Sequence, residues 1–193
     1  MDNKGFTLVE VLATIVILAV IMGIASYGVL NVIKTSKEKS EKIFLDKLGE
    51  TIETYIKQNK FNFEFEDSAA GSFTKCRMVK DDGSCFEEDP EQVSFSKIKT
   101  PIKLKTIQDS NLINNNIIIN PKNKLECIST EINPEIDIYR DEDMVYYYYV
   151  NMSNSACEVD ENNKNVTNIP QNLCNSLSEY NYNESLKVCE KNA

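Results

Sequence analysis

The stretch Lys4-Gly5-Phe6-Thr7-Leu8-Val9-Glu10, continuing as Val11-Leu12-Ala13-Thr14-Ile15-Val16-Ile17-Leu18-Ala19-Val20-Ile21, decides how the rest of the chain is read. From Phe6 to Ile33 the only ionisable side chain apart from a tyrosine is Glu10. As a helix, the uncharged run Val11 to Ile33 extends roughly 35 Å, enough for a hydrocarbon core of about 30 Å. A secretory signal would carry a basic start, a shorter apolar block and a small-x-small cleavage site. Gly23-Ile24-Ala25 imitates such a site, but the apolar block is longer and only Met1 to Gly5 precede it.

Lys4-Gly5-Phe6-Thr7-Leu8-Val9-Glu10 resembles the processing signature of the type IV prepilin family. That signature is a short hydrophilic leader, a basic residue, Gly, an aromatic, Ser or Thr, Leu, an aliphatic residue and Glu. The apolar run that follows is similar to the family's amino-terminal helix, and the match covers about the first 35 residues. The resemblance implies cleavage after Gly5 by a membrane-embedded prepilin peptidase, which also N-methylates Phe6. Glycine suits that position, because a backbone without a side chain can enter a peptidase cleft closely. The resemblance further implies that Glu10 meets the new amine of a neighbouring subunit and sets the axial register of a filament. A lone carboxylate near the membrane edge gains from such a cation, and it also gains from the helix macrodipole alone. Ala19 and Gly23, spaced as small-x-x-x-small, suit close helix packing. Tyr27 stands where many pilins carry a proline.

Outward from the span, Lys34, Lys37, Lys39, Lys42 and Lys47 would by the positive-inside rule put the carboxyl side in the cytoplasm. The cleavage motif and six cysteines beyond residue 75 put it outside instead. No proline occurs before Pro90, so a helix is expected from Phe6 to about Asn59. A separate helix after a break near Asn31 is the alternative. Phe44, Leu48, Ile52 and Tyr55 or Ile56 recur every three to four residues and form a core stripe, while Ser36, Lys39, Glu41 and Lys42 are expected to face water. The expected organisation is a leader at 1–5, a transmembrane and assembly helix at 6–33, its amphipathic continuation at 34–60 and a stapled globular head at 61–193. The fold class is α+β. The resemblance makes it type IV pilin-like, with the long helix packed on a small antiparallel β-sheet.

Within the head, Val93-Ser94-Phe95-Ser96 and Ile102-Lys103-Leu104-Lys105 alternate as strands do, and Met144 to Val150 reads as a strand with tyrosines on both faces. Asp67 to Ser72 and Asp81 to Ser84 read as turns. The stretch Ile102 to Ile113 with Ile119-Asn120-Pro121 loosely resembles heads of Gram-positive prepilins and pseudopilins, where a strand leads into a short helix and then an Asn/Asp-Pro turn. Cys76, Cys85, Cys127, Cys157, Cys174 and Cys189 form no C-x-x-C pair and suit a disulfide framework in an oxidising space. Six cysteines allow 15 connectivities, of which sequential pairing is the working expectation. Acidic clusters at Asp81-Asp82, Asp141-Glu142-Asp143 and Asp160-Glu161 lack EF-hand spacing and read as solvated loops.

The chain of 193 residues holds 30 acidic and 21 basic side chains and neither His nor Trp. Catalytic triads, Cys/His pairs and His-ligated zinc are therefore excluded, and no nucleophile, metal or cofactor constellation is visible. The expectation is a non-enzyme without catalytic residues, cofactor or metal. A net charge of −9 argues against bulk electrostatic nucleic-acid binding, and nucleic acid is otherwise left open as a partner. The resemblance implies as partners a prepilin peptidase, other pilin subunits, the cytoplasmic membrane and a pilus assembly platform. It implies a single-pass membrane protein with an extracytoplasmic head, displayed on a cell-surface filament after processing. Three function readings follow: a type IV pilin-like subunit, major or minor; a pseudopilin of a type II secretion or DNA-uptake machine; or a signal-anchored or secreted disulfide-rich binding domain.

Overall fold

A computed structural model of the chain describes residues 8–80, 84–110, 112, 119–121, 124–129, 131–152, 155, 157 and 165–192, except the side chains of 24–28. The chain divides into two compact units, Met1–Ser40 and Glu41–Ala193. One helix, α1 (Leu8–Asn59), enters the second unit without a break at Asn31, so the expected alternative of two helices does not occur.

In the first unit every described side chain is exposed. Leu8 is 85% exposed, and Leu12, Ile15, Val16, Leu18 and Ile21 each more than half. A helix apolar on all sides needs a cover other than water. The continuously described apolar part, Leu8 to Gly23, is 16 residues, or about 24 Å of helix. Among the described residues no helix is long and apolar enough to cross a membrane, and positions 24–28 of the expected span lie outside the described side chains.

The second unit is built on an antiparallel sheet. Strands β1 (Gly71–Lys75), β2 (Glu91–Lys97), β4 (Glu135–Asp141), β5 (Tyr146–Asn151) and β6 (Asn165–Thr167) lie in that order, and β3 (Ile102–Lys103) pairs with the start of β4. β2 and β3 thus share one edge of β4, with Phe95 opposite Asp141 and Ile102 opposite Ile136. Two cores lie on the two faces. On one face, Phe44, Leu48, Ile52 and Ile56 of α1 pack with Ile136, Ile138, Tyr148 and Val150. Each such side chain contributes roughly 1.5–3 kcal/mol by burial. On the other, Phe73, Phe95, Tyr139, Tyr147 and Tyr149 pack under α3 (Gln171–Ser176) and the hairpin of β7 (Tyr180–Asn183) with β8 (Val188–Lys191). The period of two in β5 sends Tyr148 and Val150 one way and Tyr147 and Tyr149 the other.

Three sequence expectations are corrected. Glu41, expected in water, is buried, because it sits one turn before Phe44 on the core stripe. Asp141, expected in a solvated loop, ends β4 at 2% exposure, where Lys75 and Tyr147 satisfy its carboxylate. The strand expected through Lys105 stops at Lys103 and becomes α2 (Leu104–Asp109). Leu104 and Ile107, three apart, both enter the core, and Pro134 O and Asn133 Oδ1 accept the N–H groups of Leu104 and Lys105.

Candidate functional site

Glu10 is exposed in the first turn of α1, where the helix dipole favours an anion. From it toward Gly23 the surface is almost wholly apolar, broken only by the hydroxyl of Thr14, which bonds back to Val11 O. Gly5 and Phe6 lie outside the described residues. The described surface is thus apolar, with one carboxylate near its start.

The head presents its cysteines as three closed bridges, Cys76–Cys85, Cys127–Cys157 and Cys174–Cys189. Cys127–Cys157 lies in the core under α1, and Cys174–Cys189 ties α3 to the terminal hairpin in the core on the other face. Cys76–Cys85 closes a short segment after β1 and is only half-buried.

Two charge networks fix the second face, and sequence reasoning missed both. Asp137 Oδ2 accepts from Tyr180 Oη at 2.9 Å and from Lys191 Nζ at 3.2 Å, and Lys97 Nζ approaches Oδ1 at 3.8 Å. Tyr139 Oη donates to Tyr180 Oη, and Lys191 N–H donates to Tyr149 Oη. In the second network Asp141 accepts from Lys75 Nζ at 2.8 Å, Tyr147 Oη at 3.0 Å and the Val145 N–H at 2.8 Å. Burial alone would lower the Lys75 ammonium, but hydrogen bonds to Asp141 and Asp143 outweigh it and hold the group above the lysine range. Burial raises every tyrosine of this face, Tyr149 to about 12 despite the Lys191 N–H that favours its anion. Alternation in Glu135–Asp141 was the available signal. Ile136 and Ile138 face α1, while Asp137, Tyr139 and Asp141 point the other way.

The head also carries clefts of about 410 to 480 Å³, lined by mixed polar and apolar side chains. Among the described residues no three His, Cys, Asp or Glu side chains are grouped to hold a metal.

Residues 1–26 match the family model of the prokaryotic N-terminal methylation motif. The chain carries the prepilin-type signature. The matched residues include Gly5, Phe6 and Glu10, and the match extends along the apolar surface of α1. No curated protein and no solved structure matches the chain. The head, beyond the prepilin-type segment, thus rests on its own geometry.

Proposed function

We propose that the chain is a type IV pilin-like structural subunit. A prepilin peptidase cleaves it after Gly5 and methylates Phe6, and it then polymerises through the amino-terminal half of α1 into a surface filament. The observation that carries this reading is the methylation motif at residues 1–26. Two features support it. The exposed apolar surface of α1 begins inside that motif, and such a surface is stable in lipid or against copies of itself. The oxidised head packs on the carboxyl half of the same helix, as an extracytoplasmic domain would. Before assembly the span 6–33 holds the subunit in the cytoplasmic membrane with the head outside. The protein acts as a building block, and the covalent chemistry is performed on it by the peptidase.

Intact mass and amino-terminal sequencing of protein recovered from its own cells test the proposal, using the native chain and Glu10→Ala. The native chain is expected to start at methylated Phe6. Glu10→Ala is expected to be cleaved equally and to be lost from filaments. A start at Met1 or Ser26 would overturn the pilin reading, and normal incorporation of Glu10→Ala would remove the register role of the carboxylate.

A further inference from the structure

The three bridges differ in what surrounds them. Cys127 is 1% exposed, and Cys157, Cys174 and Cys189 are fully buried, so reagents reach those sulfurs only by opening a core. Cys76 and Cys85 are half-buried, and a cleft of about 480 Å³ reaches the bridge from one side. Cys85 lines that cleft with Thr74, Gln92, Glu87, Asn172 and Asn175, whereas Cys76 does not. Cys76 Sγ instead accepts a hydrogen bond from Asn172 Nδ2 at 3.0 Å. The same Nδ2 donates to Thr74 O at 3.0 Å, which fixes the amide with its NH2 group toward the sulfur.

The two sulfurs of one bridge are therefore unequal. Cys85 lines the cleft, and Cys76 has a donor that stabilises negative charge on it. Thiol–disulfide exchange requires this polarity, because the attacked sulfur must be reachable and the departing sulfur must carry charge. We propose that Cys76–Cys85 is a thiol–disulfide exchange site, opened by a dithiol carried on a polypeptide whose thiolate enters the cleft and attacks Cys85 Sγ.

The incoming thiolate forms a bond to Cys85 Sγ while the Cys76–Cys85 bond breaks, and the electron pair leaves on Cys76 Sγ beside Asn172. The second thiol of the dithiol, as thiolate, attacks its partner sulfur in the mixed disulfide and releases Cys85 as thiolate. The two protons lost by the dithiol end on Cys76 and Cys85, so the dithiol is oxidised to a disulfide and the protein bridge is reduced. The amide of Asn175 and the side-chain carbonyl oxygens of Gln92 and Asn172 suit a peptide backbone, the Gln92 and Asn172 NH2 groups being engaged within the protein. Glu87 and Glu88 oppose an acidic small thiol such as glutathione. Opening this bridge leaves both cores closed by the other two.

The test uses the full oxidised chain in detergent, pulsed with dithiothreitol, quenched with iodoacetamide and mapped by peptide mass spectrometry. Cys76 and Cys85 are expected to be alkylated while the other four stay oxidised and the far-ultraviolet circular dichroism holds. Simultaneous opening, or earlier opening of either buried bridge, would overturn the site. A 2-mercaptoethanol pulse on the unmutated protein is expected to leave the mixed disulfide on Cys85 and the alkyl group on Cys76, and the reverse pattern would overturn the polarity. Asn172→Ala is expected to slow opening roughly fivefold, the effect of one hydrogen bond, with Asn181→Ala, outside the cleft, unchanged. Equal rates for the two variants would remove Asn172 from the proposal. A Cys-Gly-Pro-Cys peptide is expected to open the bridge faster than dithiothreitol at equal thiolate concentration, and no preference would overturn the polypeptide partner.

Discussion

Asp141 shows how much one carboxylate can hold. Its two oxygens receive an ammonium, a phenol and a backbone N–H from three places in the head, at 2% exposure. Asp141→Ala would leave the buried Tyr147 hydroxyl and the Val145 N–H without their acceptor and Lys75 with Asp143 alone, which costs about 1–3 kcal/mol for a buried polar group left unsatisfied. Asp143 also meets Lys75 but is 55% exposed, and Asp143→Ala should cost under about 1 kcal/mol. Denaturant unfolding of the oxidised protein checks the contrast, and similar losses for the two variants would contradict it. Neither role was legible beforehand, since Asp141-Glu142-Asp143 reads as one charge run until the strand ending at Asp141 is known.

At the scale of elements, α1 lies close against the sheet at Gly49, where an added Cβ would stand 2.8 Å from Tyr148 Oη and 3.8 Å from Val166. Alanine improves helix propensity by about 1 kcal/mol, while overpacking a filled core costs about 1–3 kcal/mol. Gly49→Ala should therefore lower stability by about 1 kcal/mol. Adding Tyr148→Phe removes the one atom in conflict and should recover the loss, a non-additivity that a double-mutant cycle reads directly. The core half of α1 was legible because Phe44, Leu48, Ile52 and Ile56 repeat at helical spacing, and β5 because four tyrosines in a row suit a strand buried on both faces. β1, α3 and the β7–β8 hairpin were not, for different reasons. β1 offers a single buried apolar residue, Phe73, and the other three are short segments, α3 and β7 rich in Asn, whose burial comes from distant partners. Local pattern carries no record of such partners.

For the head as a whole, pH stability follows from its buried phenols. Burial raises Tyr139, Tyr147, Tyr148, Tyr149 and Tyr180 above the ordinary tyrosine value of about 10, so folding favours their neutral forms. That contribution is complete below pH about 10 and disappears as pH rises through the folded-state values. Lys75, also raised when folded, is lost in the same direction. Near-ultraviolet circular dichroism should hold through neutral pH and collapse above about pH 10, together with a cooperative rise in phenolate absorbance. Gradual ionisation near the ordinary tyrosine value without loss of structure would contradict it. The amino-terminal helix of an α+β fold was legible in the sequence, because charge ends at Glu10 and resumes at Lys34. The second core was not, since it depends on chain order in space.

The bridges Cys76–Cys85, Cys127–Cys157 and Cys174–Cys189 neither nest nor cross. A chain oxidising as it emerges, amino end first, would therefore never hold more than one unpaired cysteine when the next arrives, and each pair so formed is the native one. Separations of 9, 30 and 15 residues keep each closure local. Reshuffling becomes unnecessary, and a head of this design matures at the pace of its delivery.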